Sequence, residues 1–384
     1  MSEDRKPFRV LKFGGTSVAT AERISRVAEI IEDVPEGVQP VVVVSALGGI
    51  TDRLREAIDE ALERTGAHSE ILEEIEERHF EALETLIPEG EHRENVRSLL
   101  EDRFHELSEL LDGVYLLREC TPRSRDAIVS MGERASVPLV TAALNDRSTP
   151  ARFIEASEFV RTDANFGSAN VDDEETQRLV DETFGALPED EVIVVTGFIG
   201  ATPEGVITTL GASGSDYSAT ILARALKADQ VEIWTDVDGI LSADPRMVPD
   251  AFPLEQLNYR EASELAYFGA EVLHPRTMQP LKADEIPLMI RNTLNPDAPG
   301  TRISSLSTPG SGHVKAVTSI RDTALVIVEG TGMLGVPGIA ARVFGALARK
   351  QINVLMISQA SSEQSICFVV RQPDGGARVF ESYL

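Results

Sequence analysis

The chain has 384 residues, with 42% hydrophobic and 26% charged content, the balance of an ordinary globular protein long enough for two domains. Acidic residues number 63 against 36 basic, a net charge of −27, and only six of the basic residues are lysine. No basic stripe suits nucleic acid, two cysteines form no disulfide or zinc pattern, and no apolar run is long enough to cross a membrane. An acid-rich, lysine-poor surface stays soluble where salt screens its self-repulsion, so the composition predicts a salt-adapted, cytoplasmic protein.

Phe8 to Phe13 reads as a first strand, followed at once by Gly14-Gly15-Thr16-Ser17. Strand, paired glycines, then helix is a candidate phosphate cradle, because a helix N-terminus leaves backbone N–H groups free for an anion. Lys12 stands at its mouth, in an apolar run of a chain that otherwise avoids lysine. An exposed solubilising lysine is the alternative. Val41 to Val44 repeats the theme, with SALGGITD (Ser45 to Asp52) behind it, as expected at the carboxyl ends of strands in a doubly wound sheet.

From Arg53 to Leu117 apolar residues recur at helical spacing (Ile71, Leu72, Ile75, His79, Ala82, Leu86), and Pro88-Glu89-Gly90 predicts a break between two long helices. This segment reads as a helical insertion, a cap or subunit surface. Its histidines 79, 92 and 105 are thirteen apart, a spacing that does not suit a metal site. In Ser124 to Leu144, Glu133 of the SMGERAS stretch is a candidate for gripping an ammonium group, with an exposed helical acid as the alternative. Residues 161–172 form a polar, turn-rich loop.

The central stretch runs from Val192 to Ala223. A strand (Val192 to Thr196) ends at Gly197, a Pro203–Gly205 turn reverses the chain, and a short strand (Val206 to Leu210) leads to Gly211-Ala212-Ser213-Gly214-Ser215-Asp216 and a helix. Asp216 reads either as a helix N-cap or as a functional acid beside a second anion cradle. Val231 to Trp234 is a strand opening into TDVDGILSADPR; the three aspartates fail the EF-hand spacing, and a nucleotide-contacting loop with Arg246 on phosphate fits better. A helical segment and the strand IPLMIRNT follow. Residues 303–317 read as a Ser/Gly/Pro linker, dividing a domain of residues 1–302 from one of 318–384. That second piece reads strand (Ala324 to Val328), helix (Ile339 to Arg349), strand (Asn353 to Ile357), strand (Ser365 to Val370). Its Gly330–Gly335 matches GxGxxG, but no acid stands about twenty residues on at a strand end to hold a ribose.

The motifs KFGGTS, SALGGITD, GER-S, TDANFGSA, GFIGATPEGVITTLG…GSDYSA, IWTDVDGI..ADPR, YFGA-VLHPRT and IRNTLNP…GT, in this order, resemble aspartate kinase over nearly the whole chain. The resemblance implies the amino-acid kinase fold, an α/β three-layer sandwich around a mostly parallel sheet, followed by an ACT-like α+β domain that is incomplete here. It implies transfer of the γ-phosphoryl of ATP, with Mg²⁺, to the β-carboxylate of L-aspartate, the first step towards lysine, threonine and methionine. Lys12 and Asp216 match its catalytic pair; Lys12, Phe13, Gly14, Gly15, Thr235, Asp236 and Arg246 its nucleotide site; and Thr51, Glu133, Phe198, Gly214 and Ser215 its aspartate site, with no protein metal ligands. A homo-oligomer and an amino-acid effector at the ACT region are further expectations. The chain departs from the family pattern at Ala212, where an arginine clamps the substrate carboxylate, at Glu271, where a lysine serves the nucleotide, and at Ser365, where an effector-binding stretch carries asparagine. These departures also suit a weakly active or non-catalytic regulatory paralogue.

Overall fold

A computed structural model describes residues 6–268, 273–306, 314–361 and 364–372. They fall into two compact units, Met1–Val317 and Thr318–Leu384.

The first unit is built on strands whose Val, Ile, Leu and Phe runs are buried at nearly every position, as parallel strands covered on both faces must be. In chain order its elements are β1 (Phe8–Phe13), α1 (Ala21–Glu32), β2 (Gln39–Val44), α2 (Ile50–Glu63), α3 (Ala67–Leu86), α4 (Glu91–Leu117), α5 (Pro122–Asp146), β3 (Ala151–Ile154), α6 (Asp173–Gly185) and β4 (Val192–Thr196). Then come the hairpin β5 (Ile199–Ala201) and β6 (Ile207–Thr209), α7 (Gly214–Leu226), β7 (Gln230–Thr235), β8 (Gln256–Asn258), α8 (Tyr259–Tyr267), α9 (Gln279–Ala283), β9 (Leu288–Asn292) and β10 (Thr301–Ser304).

Eight strands form one sheet in the order β3-β4-β2-β1-β7-β9-β10-β8. Neighbours from β3 to β9 are parallel, while β10 runs antiparallel to β9 and parallel to β8. Strands are added on one side of β1 first (β2, β4) and on the other side later (β7, β9), so the order reverses at β1. Loops leaving strands at such a reversal part from each other and open a crevice at the carboxyl edge of the sheet. Lys12, opposite Val43 of β2 and Ile233 of β7, sits at that edge.

Helix α7 packs on β1, β2 and β7, and α5 on β2, β3 and β4. The segment expected as two helices forms three: Arg64 (φ 58°) and Gly66 (φ 88°) turn the chain between α2 and α3, and the Thr65 hydroxyl accepts the Ala67 N–H. The apolar stripe resumes in register on the far side, which hides the break from periodicity. One face of the segment belongs to the main core. Leu54, Ile58, Leu83, Leu100, Phe104 and Leu107 are buried in the same cluster as the strands. The stretch expected as a linker begins inside β10, and its end is bound to the first unit. Lys315 Nζ lies 2.7 Å from Glu261 Oε1, and the Val317 N–H donates to Ser242 O.

In the second unit β11 (Thr323–Glu329), β12 (Val354–Gln359) and β13 (Ser365–Arg371) form an antiparallel sheet in the order β11-β13-β12, with α10 (Ile339–Arg349) between β11 and β12 in the chain. Leu347 of α10 packs with Ile366, Phe368 and Val370 of the central strand. The GxGxxG match lies across a short 3-10 turn, Thr331–Met333. No helix among the described residues is long and apolar enough to cross a membrane.

Candidate active site

The loops that leave β1 and β2 lie backbone against backbone. A Cβ on Gly15 would come within 2.9 Å of Ala46 O, and one on Gly48 within 3.1 Å of Gly15 O, so side chains are excluded on both sides. The Gly14 N–H and the Ser17 hydroxyl both donate to Trp234 O, and Ser17 Oγ lies 2.7 Å from Thr293 Oγ1. The glycine loop is thereby tied to the ends of β7 and β9. Thr51 lies half-buried in the first turn of α2, behind the second loop.

On the other side of the crevice, Gly197 ends β4 and Phe198 turns the chain in the left-handed region (φ 68°). Its N–H donates to Ser218 Oγ of α7, and its carbonyl accepts the Leu210 N–H. Helix α7 then starts at Gly214 with no side chain capping it, so the amides of its first turn are not taken by an N-cap hydroxyl or carboxylate. Asp216 is therefore not the N-cap; Ser213 is, in the left-handed region (φ 52°).

Asp216 points instead at Lys12. Lys12 Nζ lies 2.5 Å from Asp216 Oδ1, both side chains being about nine-tenths buried. Lys12 is thus a paired, buried lysine and not a surface one. Glu133 of α5 is buried as well, 3% exposed, with Oε2 unpartnered. Burial pushes its carboxyl up to about 8, against the pull of the Ala46 N–H and the charges of Lys12 and Arg55. The exposed-acid alternative for Glu133 fails. Three ionisable groups from β1, α5 and α7 meet where the sheet order reverses, in low dielectric.

The residues expected on a nucleotide side are placed less uniformly. Thr235 ends β7, its hydroxyl donating to Asp236 Oδ1. Phe13 contributes only backbone to the edge, because its buried ring stacks on Trp234 with centroids 6.0 Å apart. Arg246 stands in an exposed loop with its Nε 3.0 Å from Asp244 Oδ1, two residues back. Ala212 is exposed just before α7. Glu271 lies outside the described residues.

Two structural anchors of the site were not singled out from sequence. Asp126 of α5 is buried and accepts from Gly167 N–H, Thr209 N–H and Thr209 Oγ1 at 2.8–2.9 Å, joining the 161–172 loop to β6. Burial raises its pKa, opposed by those three donors. Its signal was available: Asp126 and Glu133 are seven apart, two turns along one helix face. Arg276 spans Leu210 O and Ala169 O at 3.1 Å each, and only its contacts reveal it.

Residues 7–292 match the model of the amino acid kinase family, and residues 326–377 that of an ACT domain. The bifunctional aspartokinase/homoserine dehydrogenase 1 of Zea mays (chloroplastic) is 40% identical over 371 residues, 95% of this chain and 40% of that protein. The chain thus spans about 40% of the length of such relatives. Among solved structures, Escherichia coli aspartokinase III in complex with aspartate and ADP (R-state) is 34% identical with a TM-score of 0.83, covering 95% of this chain and 78% of the other. The same enzyme with lysine and aspartate (T-state) gives 33% identity and a TM-score of 0.80, covering 94% and 79%. A buried Lys–Asp pair at the reversal of a parallel sheet, two glycine loops and these likenesses agree, and the chain belongs to the amino acid kinase family, in its aspartokinase branch.

Proposed function

We propose that this chain phosphorylates the β-carboxylate of L-aspartate with ATP. The observation that carries the reading is the Lys12–Asp216 ion pair, whose lysine charge also acts on the buried carboxyl of Glu133, in a chain 34% identical to an aspartokinase solved with aspartate and ADP. In the reaction a β-carboxylate oxygen bonds to the γ-phosphorus, the bond from that phosphorus to the β–γ bridging oxygen breaks, and ADP leaves. A carboxylate is already ionised near neutrality, so no general base is required. Catalysis rests on alignment and on relief of repulsion between two anions.

Lys12 supplies positive charge at the transferring phosphoryl group, and Asp216 holds the ammonium in place. The amides of Gly15 and, at the N-terminus of α7, Ser215 serve phosphate oxygens, while the Gly14 and Gly214 N–H groups, held by Trp234 O and Gly211 O, shape the two loops. Glu133 pairs with the α-ammonium of aspartate, which explains why a carboxyl is kept buried with an oxygen unpartnered. Phe198 and Thr51 border the same space, and Thr235 and Asp236 border the nucleotide, with Arg246 reaching phosphate once released from Asp244.

Magnesium fits this donor set as a passenger of the nucleotide. Among the described residues no three His, Cys, Asp or Glu side chains converge, and the ion commonly keeps phosphate and water ligands with one or two carboxylates. Asp216 would be the carboxylate to hold such an ion, which would spread the phosphate charge.

An amino-acid effector at residues 318–384, a homo-oligomer, adaptation to high salt and a place at the head of the lysine, threonine and methionine pathway complete the proposal. The direct test is ADP release that depends on aspartate in molar KCl, with hydroxylamine trapping the acyl phosphate as a hydroxamate. ADP release without hydroxamate, or neither product, refutes the reading.

A further inference from the structure

Arg276 follows Pro275 in a 3-10 turn (Pro275–Met278) far along the chain from the loops it holds. Its Nη1 donates to Leu210 O and its Nη2 to Ala169 O, each at 3.1 Å, and the guanidinium carbon lies 4.4 Å from the Tyr217 ring centroid. The three partners belong to the 161–172 loop, the exit of the β5–β6 hairpin, and the first turn of α7. Asp126 works on the same two loops from the other side, accepting N–H groups of Gly167 and Thr209. An anion takes the donors of these segments and a cation takes their acceptors.

What the clamp holds is a strained piece of backbone. Between Leu210 and α7 the chain passes through Gly211 (φ 80°) and Ser213 (φ 52°), with no side-chain cap on the helix that follows. The Gly214 N–H is held by Gly211 O at 3.0 Å, but no N-cap side chain fixes where the Ser215 amide points. Asp216, in the same first turn, must still reach Lys12 at 2.5 Å.

We infer that Arg276 is a positioning residue for phosphoryl transfer: by bridging two loop carbonyls and stacking on Tyr217, it sets the N-terminus of α7 against Lys12. The role in catalysis rests on the proposed kinase reading; the role in holding the loops does not. A planar fork is needed, since one lysine ammonium cannot both span the two carbonyls and lie flat on a ring.

The experiment compares wild type, Arg276→Met, Arg276→Lys and Tyr217→Leu by hydrogen exchange and steady-state kinetics. Arg276→Met should speed amide exchange at residues 165–170 and 210–216 about tenfold or more, leaving the central strands unchanged. It should lower kcat/KM for aspartate about tenfold, with the KM for ATP within about twofold of wild type. Arg276→Lys should recover only part of this, and Tyr217→Leu should act in the same direction more weakly. Unchanged exchange in those loops, or faster exchange spread evenly over the first unit, overturns the inference. So does full recovery by lysine. A wild type without kinase activity sinks the kinase reading, while the exchange result still decides whether Arg276 clamps the loops.

Discussion

The ring of Phe198 lies so close to Gly214 that a Cβ on the glycine would meet its Cδ2 at 2.5 Å. Phe198 is itself in the left-handed region, held by Ser218 and Leu210, so it has little freedom to retreat. The contact couples the turn after β4 to the start of α7, the two walls of the proposed aspartate site.

Gly214→Ala should therefore harm the protein although alanine favours helix. The propensity gain is about 1 kcal/mol at most, whereas overpacking a tight contact costs about 1–3 kcal/mol. We expect a lower Tm and a raised aspartate KM. Phe198→Leu, which withdraws the ring, should return part of the Tm in the double variant. A double variant whose losses simply add removes the coupling.

Lys12→Ala and Asp216→Asn should each lower kcat about 10²-fold or more, the usual loss when one preorganised charge contact is removed from a desolvated site. Each leaves its partner buried and unpaired, so each should also lower Tm, and Lys12→Met combined with Asp216→Asn should be more stable than Lys12→Ala. Near-normal turnover in either single variant means that its role is misassigned.

How much of this was legible depended on whether a signal is local. β1 and α10 fall on their expected bounds because a continuous apolar run and a uniform helical stripe each carry their own limits. The α2–α3 break does not show in the stripe, since three residues suffice to turn the chain and the apolar phase resumes after them. The burial of Glu133 was invisible because a lone acid in a helix carries no local mark of it; beside it, Ala46 and the first turn of α2 pack so closely on Gly132 that a Cβ there would meet Ala46 at 2.7 Å. Arg276 read as one more charged residue of a helical segment, and it lies in a 3-10 turn. Its two acceptors are carbonyls, which have no sequence identity at all.

Salt should stabilise the fold. With a net charge of −27 and many exposed pairs of the kind Arg178 makes with Glu175 and Glu182, the dominant unscreened interaction is repulsion among surplus carboxylates. Thermal unfolding followed from 0.1 to 2 M KCl should show Tm rising by about 5 °C or more, with turnover rising in parallel. A maximum of both in dilute buffer excludes salt adaptation.

Glu133 makes the sharpest claim about pH. Its carboxyl titrates at about 8 in the fold and near 4.5 in the unfolded chain, because burial disfavours the charged form. Below about pH 4.5 both states hold the proton and Glu133 contributes no pH dependence. Between about 4.5 and 8 the unfolded chain releases it while the fold retains it, so the fold binds more protons and loses stability as pH rises. Above 8 the contribution is constant. Glu133→Gln should then flatten the fall of Tm between pH 5.5 and 8.5 in the absence of substrate. Substrate binding runs the other way, since the α-ammonium of aspartate needs the carboxylate: the KM for aspartate should fall as pH rises from about 6 to 8 and then level off. In Glu133→Gln that KM should be higher and nearly independent of pH over the same range, with the KM for ATP unchanged. A wild-type aspartate KM that is flat from pH 6 to 8.5, or a glutamine variant that keeps the wild-type pH profile, shows that another group receives the ammonium.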